Sequence, residues 1–149
     1  MARDSEARQL ARARRAARKL LVQALYQLEL AAQPWQDIHA QFTADPESAG
    51  ADLDFFRDAL RHVAAERAAL DAELARFADI PPARLDPVEH AILLLGLYEL
   101  QQRPDVPFRV AISEAVELAK RLGATDGYKF VNGVLDRAAA ELRAAERSS

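Results

Sequence analysis

Apolar residues recur at intervals of three and four over residues 53–77: Leu53, Phe56, Leu60, Val63, Leu70, Leu74 and Phe77, with only Arg67 interrupting. That period lines one face of an α-helix and does not suit a strand, whose side chains alternate every second residue. The run predicts one long helix, or two collinear ones joined near residues 64–67. No segment alternates with period two over a useful length. The expected fold class is therefore all-α, two small helical-bundle subdomains with about seven helices. The scarcity of glycine, five in 149 residues, agrees with that.

Punctuation supplies the boundaries. "DIPPARLDP", residues 79–87, holds three prolines, and a helix cannot run through them. This break predicts an N-terminal subdomain of residues 1–80 and a C-terminal one of 81–149. Asp86 as N-cap, Pro87 at the first helical position and Glu89 three residues after the cap start a helix expected to reach Gln102. After "RPDVP", Pro107 opens another, with Val110, Ala111, Ala115, Leu118 and Leu122 apolar and Gly123 as the C′ residue. A last helix starts near Thr125 or Asp126 and buries Val131, Val134, Leu135, Ala138 and Leu142. Gly133 inside it costs roughly 1 kcal/mol against alanine, which asks for a close backbone approach or tight interhelix packing. A short helix around residues 37–43 completes the set.

The first helix carries the strongest local signal. At about 100° per residue, Ala17, Leu21, Ala24, Leu25 and Leu28 form one apolar stripe. Arg8, Arg12, Arg15 and Lys19 cluster on another face within about 60° of arc, and Tyr26 lies on the same azimuth. Arg14 and Arg18 fall nearer the apolar edge, where they could flank a groove. Between Arg3 and Lys19 seven basic residues face two acids, whereas the net charge of the chain is −3, so the remainder sums to −8. An acidic body with a basic end is expected of a protein that meets a polyanion at one place. Arginines on one face with an aromatic ring beyond them suit single-stranded RNA, where phosphates take the charge and unpaired bases stack on rings. A merely solvated charged face is the alternative.

Other chemistry is poorly supported. With no cysteine there is no disulfide, thiolate metal site or cysteine nucleophile. His39, His62 and His90 are scattered; His62 has Glu66 one turn on, but two ligands do not make a site. Phosphate loops and nucleophile elbows do not appear. The longest apolar run, "AILLLGLY" at residues 91–98, is far short of the roughly 20 residues of a membrane span. The expected compartment is the cytoplasm, with an arginine-rich transit peptide as the alternative left by the N-terminus. Neither an enzyme, a cofactor nor a metal is expected.

"GYKFVNGVLDR", residues 127–137, is the second unusual stretch. Lys129 and Phe130 sit just inside a helix N-terminus, whose N–H groups favour an anion. Phe130 lies about 100° from the centre of its helix's apolar stripe, which leaves it at the core margin or exposed for stacking.

Taken with "ARRAARKLLVQALYQLEL", "FFRDALRHVAAERAALD", "EHAILLLGLYEL" and "DVPFRVAISEAVELAKRLGATDGYKFVNGVLDR", these segments resemble, in order and over nearly the whole chain, the NusB family of bacterial transcription antitermination factors. The resemblance implies two helical subdomains and no enzymatic activity. It further implies binding to the boxA element of rRNA operon transcripts, together with the ribosomal small-subunit protein known in this role as NusE, in the RNA polymerase antitermination complex. Position by position it assigns the arginine-rich motif to Arg14, Arg15 and Arg18, with Lys19 beside them, and the aromatic to Tyr26. Lys129 and Phe130 fall in the family's RNA-facing region, Asp126 is a neighbouring modulating position, and Glu89 falls where the family meets partner and RNA. Ser113 departs from the more usual asparagine, and Gly127 with Tyr128 from a serine-containing helix start. Two further readings stay open: a domain accessory to an rRNA cytosine methyltransferase, and a structural helical protein acting as a homodimer.

Overall fold

Caps and prolines divide the computed structural model, which describes residues 2–147, into eight α-helices and two short 3-10 turns, with no strand among the described residues. By its internal packing the chain divides between Ala64 and Ala65 into two units.

The first unit contains α1 (Ala2–Leu30), α2 (Trp35–Ala44), a 3-10 turn at Pro46–Ser48 and α3 (Leu53–Ala65). Helix α1 buries Ala17, Leu21, Ala24 and Leu25, as its period requires, while Leu28 is only half-buried. Phe55, Phe56, Ala59, Leu60 and Val63 of α3 join that core with Ile38 of α2. Rings extend it: Phe42 and His39 of α2 lie 5.8 and 6.0 Å from Phe56. The periodic run of residues 53–77 is two helices, because Glu66 (φ −115°, ψ 23°) interrupts the turn between α3 and α4.

The second unit contains α4 (Arg67–Ala78), a 3-10 turn at Pro82–Arg84, α5 (Pro87–Gln102), α6 (Phe108–Leu122), α7 (Gly127–Leu142) and α8 (Ala144–Arg147). The division of packing thus lies at residues 64/65, ahead of the proline segment at which the sequence suggested a boundary, 80/81. The prolines of residues 79–87 do end a helix, but α4 packs on α5 and α7 through Leu70, Leu74 and Phe77, so the proline segment is a connection inside the second unit. Helix α5 starts as its sequence requires, with the Asp86 carboxylate accepting from the Glu89 N–H at 3.1 Å. Residues 89–100 are all buried, so "AILLLGLY" is a core helix.

Side chains of the last helices close the ends of the earlier ones. Arg137 donates to the Phe77 carbonyl at the end of α4, 2.9 Å away. Arg143, just past α7, donates to the carbonyls of Leu100 (2.9 Å), Glu99 (3.1 Å) and Arg103 (2.9 Å) at the end of α5, those of Glu99 and Arg103 also accepting the N–H groups of Arg103 and Val106. Glu146 accepts from the Phe108 N–H at the start of α6, at 2.9 Å. Inside the unit, buried His90 of α5 meets Asp71 of α4, with Nε2 2.6 Å from Oδ1.

Three further expectations change. Gly123 is an extended C-cap (φ −88°, ψ 179°) and not a left-handed C′ residue. Val110 and Leu122 are 42% and 40% exposed, because α6 packs through Phe108, Ala111, Ile112, Ala115, Leu118 and Ala119 instead. A close approach between helices falls instead at Gly96, where a Cβ would lie 2.7 Å from Leu135 Cδ1 of α7. At Gly133 a Cβ would find only Arg137 Nη1, at 3.5 Å. Gly133→Ala is therefore expected to raise stability by about 1 kcal/mol, read as a higher urea midpoint at unchanged slope.

Candidate nucleic-acid interface

Asp52 organises the basic half of α1. Its carboxylate caps α3 by accepting from the Phe55 N–H at 3.0 Å, and its own N–H donates to the Ala13 carbonyl of α1 at 2.9 Å. The other carboxylate oxygen stands 3.5 Å from Arg14 Nε. This brings Phe55 beneath α1, with the guanidiniums of Arg14 and Arg18 each 5.2 Å from its ring centre. Arg18 is only 3% exposed. The structure thus takes Arg18 out of the accessible surface, and half-buried Arg14 is engaged by Asp52. Both arginines hold α1 on the start of α3.

What remains outside is an ordered face. Arg8, Arg12, Arg15 and Lys19 are all exposed, and Tyr26, 39% exposed, follows on the same side. Gln23 lies between Lys19 and Tyr26 and is exposed as well.

The start of α7 is a separate feature, in the second unit. Asp126 adopts a left-handed conformation (φ 66°) before the helix, and its carboxylate is 3.5 Å from Lys129 Nζ, both side chains being two-thirds exposed. Tyr128 has Lys120 Nζ of α6 at 5.1 Å and Lys129 Nζ at 5.9 Å from its ring centre. Cations at such distances are drawn to a ring face. Phe130 is half-buried, at the margin of the core.

Glu89 is buried, 8% exposed, and its carboxyl lies over the first residue of α7: a Cβ on Gly127 would come within 2.8 Å of its Cδ and both oxygens. A carboxylate suits the positive end of a helix dipole. The anion position expected at this N-terminus is thus taken by a carboxylate of the protein itself, and Glu89 is a positioning residue below the surface. The same contact accounts for Gly127, since any side chain there would displace the Glu89 carboxyl.

The structure therefore gathers Arg15, Lys19 and Tyr26 on one exposed face of α1, and Asp126, Lys129 and Phe130 at the start of α7. Arg18 and Glu89 are placed in the packing of their units. Sequence reasoning missed Lys120, whose approach to Tyr128 comes from the turn between α6 and α7 and leaves no mark in helical spacing. It also missed Gln23, which the spacing of four from Lys19 and three to Tyr26 would have shown. No group of three or more His, Cys, Asp or Glu residues converges as metal ligands among the described residues, and none of their helices is long and apolar enough to cross a membrane.

Comparison with known proteins agrees with this architecture. The sequence profile of the NusB family matches residues 15–140. The chain is 49% identical over 133 residues to the transcription antitermination protein NusB of Marinobacter nauticus, covering 89% of this chain and 84% of that protein. It is 48% identical over 136 residues to that of Alcanivorax borkumensis, covering 91% of each. A solved structure of T. maritima NusB superposes with a TM-score of 0.79 at 30% identity, covering 91% of this chain and 97% of that one. Fold and relatives define the class as transcription antitermination proteins, which are not enzymes. The chain belongs to the NusB family.

Proposed function

We propose that this protein acts in the cytoplasm as an RNA-binding antitermination factor for rRNA operons. In this reading it binds the single-stranded boxA element of their transcripts and works with NusE in the RNA polymerase antitermination complex. The observation that carries the reading is the exposed face of α1, where four cations at helical spacing lead to an exposed ring and the helix itself has no acidic residue between Arg8 and Tyr26. Arginines and lysines placed so hold phosphates, while rings stack on unpaired bases. The cations around Tyr128 provide a second patch of the same chemistry. The acidic balance outside the N-terminal segment suits recruitment of a basic ribosomal protein.

Titration of labelled boxA RNA and a scrambled strand of equal length, with and without NusE, tests this. The expected result is binding of boxA at least about tenfold tighter than the scrambled strand, the order of discrimination given by one good base contact, and tightening when NusE is present. Equal affinity for both strands would refute the boxA assignment, and absence of binding would refute the RNA-binding reading itself.

A further inference from the structure

Beyond Lys19 the exposed face of α1 continues through Gln23 and Tyr26, and there α1 and α2 border a cleft of about 490 Å³. Its volume lies in the range of small-molecule sites. Tyr26, Gln23, Gln27, Gln41, Phe42 and Asp45 line it, together with aliphatic side chains and no cation. The change of chemistry is abrupt. Up to Lys19 the face offers positive charge; from Gln23 on it offers rings, amides and one carboxylate.

These groups are fixed in place. Gln27 Nε2 donates to Gln33 Oε1 at 2.7 Å and to Gln41 Oε1 at 2.9 Å, which orients the amides on the cleft wall. Asp45 is both the C-cap of α2 and the N-cap of the following 3-10 turn, with Oδ1 accepting from the Glu47 N–H at 2.9 Å. A cleft with a carboxylate and no cation repels phosphate. It suits the uncharged base of a strand whose phosphates lie on the arginines.

We propose that this cleft takes one guanine base of a bound single strand, an inference that rests on the RNA-binding reading above. An ionised carboxylate only accepts hydrogen bonds, so the base edge facing Asp45 has to donate. Guanine alone presents two adjacent donors, N1–H and the N2 amino group, for Asp45 Oδ2 and for the second lone pair of Oδ1, whose first accepts the Glu47 N–H. Adenine and cytosine set a lone-pair nitrogen beside their single amino group, and uracil flanks its one N–H with two carbonyls. Tyr26 and Phe42 supply aromatic surface for the base, and the amides of Gln23 and Gln41, which donate as well as accept, serve its O6 and N7 edge.

The test uses the full chain and nine-nucleotide uridine strands carrying one central guanosine, inosine, adenosine or uridine. The guanosine strand is expected to bind about tenfold tighter than all-uridine, as one bidentate base contact provides, with inosine, which lacks the N2 amine, in between. Asp45→Asn keeps an oxygen to cap the turn but loses the anion, and is expected to bring the ratio of guanosine-strand to all-uridine affinity down to about one. Guanosine 5′-monophosphate, lacking the run of phosphates, is expected to bind at least about a hundredfold more weakly than the strand. Equal affinities across the four strands, a preference that survives in Asp45→Asn, or mononucleotide binding as tight as the strand's would each overturn the cleft assignment alone. Failure of every strand to bind would overturn the RNA-binding reading with it.

Discussion

Replacing Arg18 with alanine is expected to cost about 2 kcal/mol of stability or more, the value of a desolvated cation over a ring, whereas Arg15→Ala and Lys19→Ala leave stability within about 0.5 kcal/mol, as exposed substitutions do. The difference follows from exposure. Arg18 is 3% exposed above Phe55, itself buried, whereas Arg15 and Lys19 are exposed. RNA affinity is expected to follow the reverse order at fixed stability. The Arg15→Ala/Lys19→Ala double variant, which removes two cations from the phosphate face, is expected to bind RNA about tenfold more weakly in moderate salt. Urea melts and RNA titrations on the same preparations separate the two effects. A destabilised Arg15→Ala/Lys19→Ala protein, or an Arg18→Ala protein of unchanged stability, would contradict the division of the arginine motif into packing and surface members.

Arg143→Ala is expected to cost about 3 kcal/mol, since a hydrogen bond to a charged group contributes a net ~1.5–3 kcal/mol and, of the three carbonyls that the guanidinium serves, those of Glu99 and Arg103 keep their backbone N–H partners. For a chain of this size that lowers the melting temperature by roughly 6–12 °C. Arg143→Lys is expected to recover only part of the loss, because a single ammonium cannot span the carbonyls of Glu99, Leu100 and Arg103 at once. Glu146 belongs to the same bracket. Its carboxyl is held below the ordinary glutamate value by the Phe108 N–H and, next, by Arg143. A lowered carboxyl pKa means stability that is complete above the unfolded value and lost as pH falls through the folded one. The wild-type protein should therefore lose this contribution on acidification below the usual glutamate range.

These two arginines also show what a sequence discloses. Helix α5 was legible because its signals are local: Asp86, Pro87 and the apolar run fall within one or two turns. The basic face of α1 was legible for the same reason, being a matter of azimuth along a single helix. Arg18 sits at the edge of the stripe formed by Leu21 and Leu25, and spacing alone left it free to face either way. Its burial is decided by Phe55, 37 residues on, which Asp52 brings beneath α1. Arg143 likewise acts on carbonyls 40 or more residues away. Prolines mark where a helix stops, but which neighbours α4 packs on is a tertiary matter, so the division of packing at 64/65 is not visible in the proline pattern. Glu89 and Gly127 are 38 residues apart, so their contact could not be read from either position alone.

On the proposed function, the exposed cations of α1 hold the phosphates of a single strand. The salt dependence of boxA affinity measures this most directly, comparing wild type with an Arg12→Ala/Arg15→Ala/Lys19→Ala variant. Neutralising about four phosphates gives a slope of log K against log salt of about −3 on a single strand, and removing three cations should reduce it to about −1. A flat response in the wild type, or an equal slope in the variant, would show that these cations do not hold the strand's phosphates.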